Sequence, residues 1–508
     1  MSAELSFEDL ARAERSPPRA LILLTLTFVT MLYAMTVTIA NVSLAQMQGS
    51  LSATQDQIAW VVTFNIAATA VVTPSAGWLA ARLGRRRVMI LSVAGFGLAS
   101  ILCGLAGSVE ELVLCRIAQG AFGAPMVPLS QAILLDTYPK RQHGTVTAIW
   151  GVGVILGPIV APALGGILSE AYNWRWVFFM IVPFTAVALI GVLAFIRDPA
   201  GPRRTHMDWT GFLALAVAVV AFQVMLDRGE RNGWFDSLEI LIEAGVALAA
   251  FWVFVTHTLT GERTFLNPLL LRDRNFAIGL VIVLLFGMLN FTPITLLPTL
   301  MQDVQGYPDS VIGLVLSARG VGTLIGFGVM IFAGKLDPRI PMVVGFALQA
   351  FAGWAMTSFD ANVTTWDVLW TAGIQGLGVG LIWVPLSIVT FATLAPHLVP
   401  DGTAFFHLLR NIGSSIHISL SVALVVRGGK VGYAQLSENI SAYNEAFDFP
   451  WVHGLWGTET LEELGALSRE TARQATVLGY LDSFVFFWMT AALAIPLVFL
   501  VKRPAAHG

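Results

Sequence analysis

The sequence predicts an all-α membrane protein that crosses the bilayer fourteen times, and three observations predict it. Of 508 residues, 56% are hydrophobic and 12% charged, whereas a soluble globule carries about a quarter charged residues. Apolar runs long enough to cross roughly 30 Å of hydrocarbon, about 20 residues each, lie near 20–43, 57–81, 88–106, 111–137, 144–168, 175–196, 209–227, 238–258, 275–300, 310–333, 341–360, 366–394, 402–426 and 482–501. The connections alternate in basic content: Arg82, Arg85, Arg86 and Arg87; Lys140 and Arg141; Arg197, Arg203 and Arg204; Arg263, Arg272 and Arg274; Lys335 and Arg339. By the positive-inside rule the basic loops are cytoplasmic, so both termini are cytoplasmic and the number of spans is even. The net charge of −3 carries little weight beside this placement.

The tail 1–19 holds Glu4, Glu8, Asp9 and Glu14 and no small-residue cleavage signal follows the first apolar run, so the first span is expected to remain in the mature chain. Cys103 and Cys115 fall in apolar runs and read as small buried side chains. In the uncharged stretch Gly151–Gly166, Gly153, Gly157, Ala161 and Gly165 recur every fourth residue, which places them on one face of a helix that a neighbour can approach closely. Pro158 and Pro162 each delete a backbone donor there, so the helix is expected to bend and act as a hinge, with Gly166 at its end.

Gln119-Gly120 followed by Pro128-Leu129-Ser130 in the fourth span is echoed by Gln375-Gly376 followed by Pro385-Leu386-Ser387 in the twelfth. A duplicated transporter plan would produce that echo. It divides the chain into a six-helix bundle 20–196, a linker region 197–274 carrying two inserted spans, and a second six-helix bundle 275–508. The second bundle includes an extramembrane segment 427–481 on the outer face, with a helical piece from Thr460 to Tyr480, read as a partly helical cap or a docking surface.

Several scattered motifs resemble one family: GWLAARLGRRR at Gly77–Arg87, including Gly77, Arg82, Gly84 and Arg85; RIAQG at Arg116–Gly120; the Gly153–Gly166 stretch; TIANVSL at Thr38–Leu44; MLDRG at Met225–Gly229; and HLLRNIGSSI at His407–Ile416. Together they are similar to the major facilitator superfamily, and within it to the fourteen-span drug:proton antiporters of the EmrB/QacA type. The resemblance implies two six-helix bundles plus two inserted helices, alternating access, proton antiport and a bacterial inner-membrane location. It also implies a periplasmic membrane fusion protein and an outer-membrane channel as partners. Thr36 stands where the family's first span carries an Asp, and Ala81 where its loop motif carries another. The first departure removes the expected proton-coupling carboxylate.

An ionisable side chain inside a span is a functional candidate, because burying it costs several kcal/mol unless it meets water or a partner. Arg116, Arg319 and Arg410 are the basic residues inside spans, and Arg319 reads as a tie to backbone carbonyls. In the thirteenth span His407, Arg410, Ser414, His417 and Ser421 follow three- and four-residue steps and form one polar stripe flanked by Asn411. Imidazole titrates near physiological pH, so His407 or His417, with Arg116, is expected to handle the proton. The expected substrate pocket combines Tyr33, Trp60, Asn65, Arg116, Gln119, Asn290, Phe291, Gln375, Trp383, Phe406, Arg410 and Asn411. A pocket with arginine and few carboxylates suits neutral or anionic amphipathic molecules better than lipophilic cations.

The glycines Gly376, Gly378 and Gly380 lie within a span and not after a strand, which argues against a phosphate cradle. No zinc spacing, catalytic triad or nucleic-acid signature is present, and no cofactor, metal or enzymatic activity is expected. A multidrug-type exporter is the leading expectation, and a fatty-acid or lipid transporter or flippase on the same fold, with altered or absent proton coupling, is the alternative.

Overall fold

The computed structural model describes residues 18–502 except 54, 199–206, 262–265, 267, 308, 333–335, 396–397, 442–443 and 445–459. Every regular element among these residues is helical. Fourteen helical segments follow the hydropathy pattern. They are α1 (Arg19–Val42), α2 (Gln55–Val72, continued by a 3-10 turn at Thr73–Ser75 into Ala76–Leu83), α3 (Arg85–Leu105), α4 (Val109–Gly123 and Met126–Thr137) and α5 (His143–Ala171). Next come α6 (Trp176–Phe179 and Ile181–Phe195), α7 (Trp209–Arg228), α8 (Leu238–Thr260), α9 (Arg274–Asp303) and α10 (Asp309–Phe332). The last four are α11 (Arg339–Met356), α12 (Thr365–Phe391), α13 (Val399–Ser437) and α14 (Leu461–Val498). Among the described residues, thirteen of them are long and apolar enough to cross a membrane. The other is α5, 29 residues long and without a charged residue between His143 and Glu170.

Local chemistry sets the boundaries. Ser108 caps α4 by accepting from the Glu111 amide, with Glu110 and Glu111 in the first turn. Thr364 with Asp367, and Thr460 with Glu463, form capping boxes that start α12 and α14. Pro74 converts α2 to a 3-10 turn near its end, and α4, expected as one span, is broken around Pro125. Pro293 and Pro298 are carried inside α9.

Helices α1–α6 pack among themselves, α9–α14 do likewise, and α7 and α8 pair with each other. Between the two groups, α5 lies against α10 and α12, and α13 against α2 and α4. The distribution of buried apolar residues shows where they meet. Toward the end bearing Arg85–Arg87 and Arg339, one continuous core runs across both groups, joining Val127, Leu129 and Trp150 to Phe327, Trp383 and Leu386. Toward the opposite end the core divides. Met47, Ile58, Val61, Trp174 and Phe178 cluster in the first group, and Leu296, Leu300, Phe359, Tyr480 and Phe484 in the second. The basic end is therefore sealed across the seam, whereas the opposite end has separate cores.

Three placements refine the sequence reading. The small-residue ridge of α5 turns toward α1: a Cβ at Gly153 would collide with Thr27, one at Gly157 with the Met31 carbonyl, and one at Gly165 would press on Ile39. The helix continues unbroken through Pro158, Pro162 and Gly166, although the side chain of Pro162 lies outside the described residues. The described residues of the segment 427–481 are largely helical, including the piece expected from Thr460 to Tyr480: α13 runs on to Ser437 and α14 begins at Leu461, while 442–443 and 445–459 lie outside the described residues. The basic motif is held by local contacts: Gly84 turns at φ +91°, Arg85 pairs with Asp136 at 2.5 Å, Arg82 covers the Trp78 ring, and Gly77 abuts Asp401 of α13.

Candidate functional site

The α13 stripe is buried along its whole length, and its two ends do different things. Close approach to α9 places it: a Cβ at Gly413 would collide with the Leu284 carbonyl oxygen, and one at Gly287 with that of Arg410. Ser414 donates to the Gly287 carbonyl at 3.1 Å. His417 sits deeper in the second group, its Nδ1 2.8 Å from Thr292 Oγ1 and its ring stacked on Phe486 at 4.4 Å. That imidazole joins α9, α13 and α14 and does not face the seam.

His407 faces the seam. Its Nε2 lies 2.7 Å from Gln131 Oε1 of α4, while Gln131 Nε2 lies 3.5 Å from Ser387 Oγ of α12. The ring is packed by Trp150 of α5, Trp383 of α12 and Phe406, and Trp150 is held by donating to Thr30 Oγ1 at 2.9 Å. Two buried polar atoms at this place lack a hydrogen-bond partner among the described residues: His407 Nδ1 and Trp383 Nε1. Native interiors seldom leave such atoms bare, so the place fits a small polar occupant such as water.

One turn along, the Arg410 guanidinium lies 5.5 Å from the Trp383 ring centre and 5.9 Å from that of Phe291, with Asn411 Oδ1 at 3.3 Å. Tyr33 of α1 is within its electrostatic reach across the seam. Among the described residues Arg410 has no carboxylate partner and its Nε is unbonded. A buried, ring-flanked guanidinium without an acid beside it has donors that a carboxylate or another hydrogen-bond acceptor can satisfy.

The remaining candidates lie elsewhere. Arg116 is buried in the first group, donating to the Val61 carbonyl at 3.1 Å and to Gln119 Oε1 at 2.5 Å; Gln119 in turn donates to Ser100, and Asn65 to the Arg116 carbonyl. These groups tie α2, α3 and α4 together. Gln375, fully buried, donates toward the Met356 sulfur, and Arg319 donates to the carbonyl and side-chain oxygen of Asn290. Phe406 is enclosed between Phe391, Trp383 and His407. Tyr33, Phe291, Trp383, His407, Arg410 and Asn411 are thus the members grouped around the seam. Sequence reasoning missed Gln131, Ser387 and Trp150, although Gln131 directly follows the first copy of the Pro-Leu-Ser repeat and Ser387 is the last residue of the second.

Two helical groups meeting along a polar-lined seam, sealed at one end, define a membrane transporter rather than an enzyme. The chain belongs to the Major Facilitator Superfamily, whose family model matches residues 26–417, and within it to the EmrB-type group. It is 30% identical over 491 residues to the multidrug export protein EmrB of Escherichia coli K12, covering 95% of each chain. Against EmrB of Haemophilus influenzae it is 32% identical over 488 residues, 94% of this chain and 95% of that one. The fatty acid resistance protein FarB of Neisseria gonorrhoeae is 30% identical over 478 residues, 93% and 94% of the two chains. Among solved structures, the human organic anion transporter MFSD10 superposes with a TM-score of 0.57 over 94% of this chain and 100% of that one, at 12% identity, which speaks to the fold alone.

Proposed function

We propose that this protein is a secondary active, multidrug-type exporter that moves amphipathic neutral or anionic compounds across the bacterial inner membrane by alternating access, in exchange for protons. Residues 20–196 and 275–508 are the two moving blocks, 197–274 links them with two inserted helices, and the ridge of α5 against α1 serves as a hinge. Both termini lie in the cytoplasm, so the sealed basic end is cytoplasmic and the conformation is outward-facing. The paired α13–α14 extensions then stand in the periplasm, where a membrane fusion protein leading to an outer-membrane channel would dock.

The observation that carries the substrate class is Arg410, buried over Trp383 and Phe291 with no acid beside it. A carboxylate there gains a charge-assisted hydrogen bond, whereas a lipophilic cation meets repulsion. The same observation, with FarB among the relatives, favours fatty-acid-like carboxylates as a second reading. Transport of a labelled fatty acid and of ethidium in proteoliposomes under an imposed pH gradient tests this. Arg410→Gln is expected to lower carboxylate transport at least tenfold, the equivalent of about 1.4 kcal/mol, and to leave ethidium transport no lower than before. Equal loss of both substrates, or efficient ethidium export with no carboxylate export by the unaltered protein, overturns it.

Proton coupling rests on His407, the imidazole at the seam. His407→Ala is expected to uncouple transport from the pH gradient while substrate still binds, and His417→Ala to keep coupling. Undiminished coupling in His407→Ala removes this part of the reading.

A further inference from the structure

We propose that Gln131 on α4 is a positioning residue for proton coupling, acting through His407; this rests on the reading of His407 as the proton carrier. When Gln131 Oε1 accepts at 2.7 Å, His407 Nε2 must carry the hydrogen, and the amide orientation is consistent because its NH2 then points to Ser387 Oγ. One ring nitrogen is thereby committed and Nδ1 is the nitrogen left to titrate. Nδ1 is buried without a hydrogen-bond partner, so its proton has to come from water that reaches it along the seam from the open outer end.

From α4, α5 and α12 the ring is faced by Gln131, Trp150 and Trp383, none of them charged, and on its own helix Arg410 is the charged group within electrostatic reach. Protonation of Nδ1 places a second cation beside Arg410 on α13, at the joint with α4 that Gln131 closes. An outward-facing carrier that takes up a proton must open toward the cytoplasm next, and that is the joint it has to part. Gln131 also favours the charged ring to a measured degree, since an imidazolium N–H binds an amide oxygen more strongly than a neutral imidazole does.

The test is the pH dependence of proton-driven transport in proteoliposomes of the full chain. Gln131→Glu supplies an anion to the imidazolium and is expected to move the midpoint to higher pH by about one unit or more. Gln131→Met keeps the bulk, removes the acceptor and is expected to move it to lower pH; Gln131→Asn, which withdraws the oxygen by one methylene, serves the same purpose if the methionine variant does not accumulate. Opposite displacements support the assignment, because a merely structural side chain would lower the rate without moving the midpoint in two directions. An unmoved midpoint in both variants, with His407→Gln abolishing the pH dependence, overturns the role of Gln131 alone. A His407→Gln protein that keeps the original profile overturns the reading of His407 and this inference with it.

Discussion

At the scale of single residues, the membrane-buried polar groups divide into ties and facing groups, and burial alone does not separate them. Arg116 and Arg410 are both buried, yet the first spends its donors on the Val61 carbonyl and Gln119, while the second lies over two rings with its Nε unbonded. The placement of Arg410 depends on the α9–α13 contact at Gly287 and Gly413. Gly413→Ala puts a methyl group into the Leu284 carbonyl, so the helices must part; a loss on the order of 2 kcal/mol is expected, read as lower thermal stability in detergent. Gly245, which has open space around it, should tolerate the same change with no loss. The periodicity of the stripe was legible in the sequence, as were its five members. The division of labour between His407 and His417 was not, because the three-to-four-residue spacing places both on one side of α13 while two different neighbours, α4 and α9, cover its two ends. Gln131 escaped notice for a related reason: an uncharged amide in an apolar run carries no signal until its partner 276 positions away is known.

At the scale of elements, hydropathy marked the membrane-crossing parts of the helices and missed their extensions. Residues 427–437 add roughly 16 Å to α13 and 461–481 roughly 31 Å to α14, at about 1.5 Å per residue. The second was expected as a helical piece from Thr460 to Tyr480, and both are stabilised by packing: Gly479 abuts the Val425 carbonyl, Tyr433 hydrogen-bonds Ser468, and Tyr480 donates to Thr299. The α14 arm is anchored by Arg473, which pairs bidentately with Glu470 and donates to the Ala361 carbonyl at 3.0 Å. The Arg473 hydrogen bonds hold the Glu470 carboxyl below its usual range. A depressed carboxyl contributes stability that is complete above its unfolded value, near 4.3, and is lost as pH falls through the lower folded value. Both side chains remain partly in water, so the pair itself is worth under about 1 kcal/mol. Arg473→Ala also forfeits the carbonyl contacts, and amide exchange across 461–481 is expected to speed several-fold at neutral pH, with the unaltered arm loosening only below about pH 4. Unchanged exchange in the variant would show that the glycine contacts alone hold the arm.

At the scale of the whole molecule, the two helical groups are joined by unlike seams. At the basic end tryptophans, the Gln131–His407 link and the Gly77–Asp401 contact bring them together. Toward the other end, α7 spans the groups through Thr63 donating to Asp227 at 2.8 Å and Ser419 donating to the Leu226 carbonyl. The inserted helix α7 therefore contacts both groups. The Gln-Gly…Pro-Leu-Ser echo leads to the expectation of a duplication with an insertion, but the end at which the two groups are joined is a property of side-chain packing across the seam, which no local pattern encodes. Gly144 of α5 faces Ile388 of α12 at the basic end, where a Cβ on the glycine would lie 3.2 Å from the Ile388 side chain. In a Cys103→Ser, Cys115→Ser background, Gly144→Cys with Ile388→Cys should be joined by a short thiosulfonate cross-linker and arrest transport. In the arrested protein a cysteine at Trp60, 37% exposed on α2, should still react with a membrane-impermeant maleimide added outside. If cross-linking leaves transport intact, the basic-end seam does not have to open in the cycle, and the carrier would have to work by some motion other than alternate parting of its two ends.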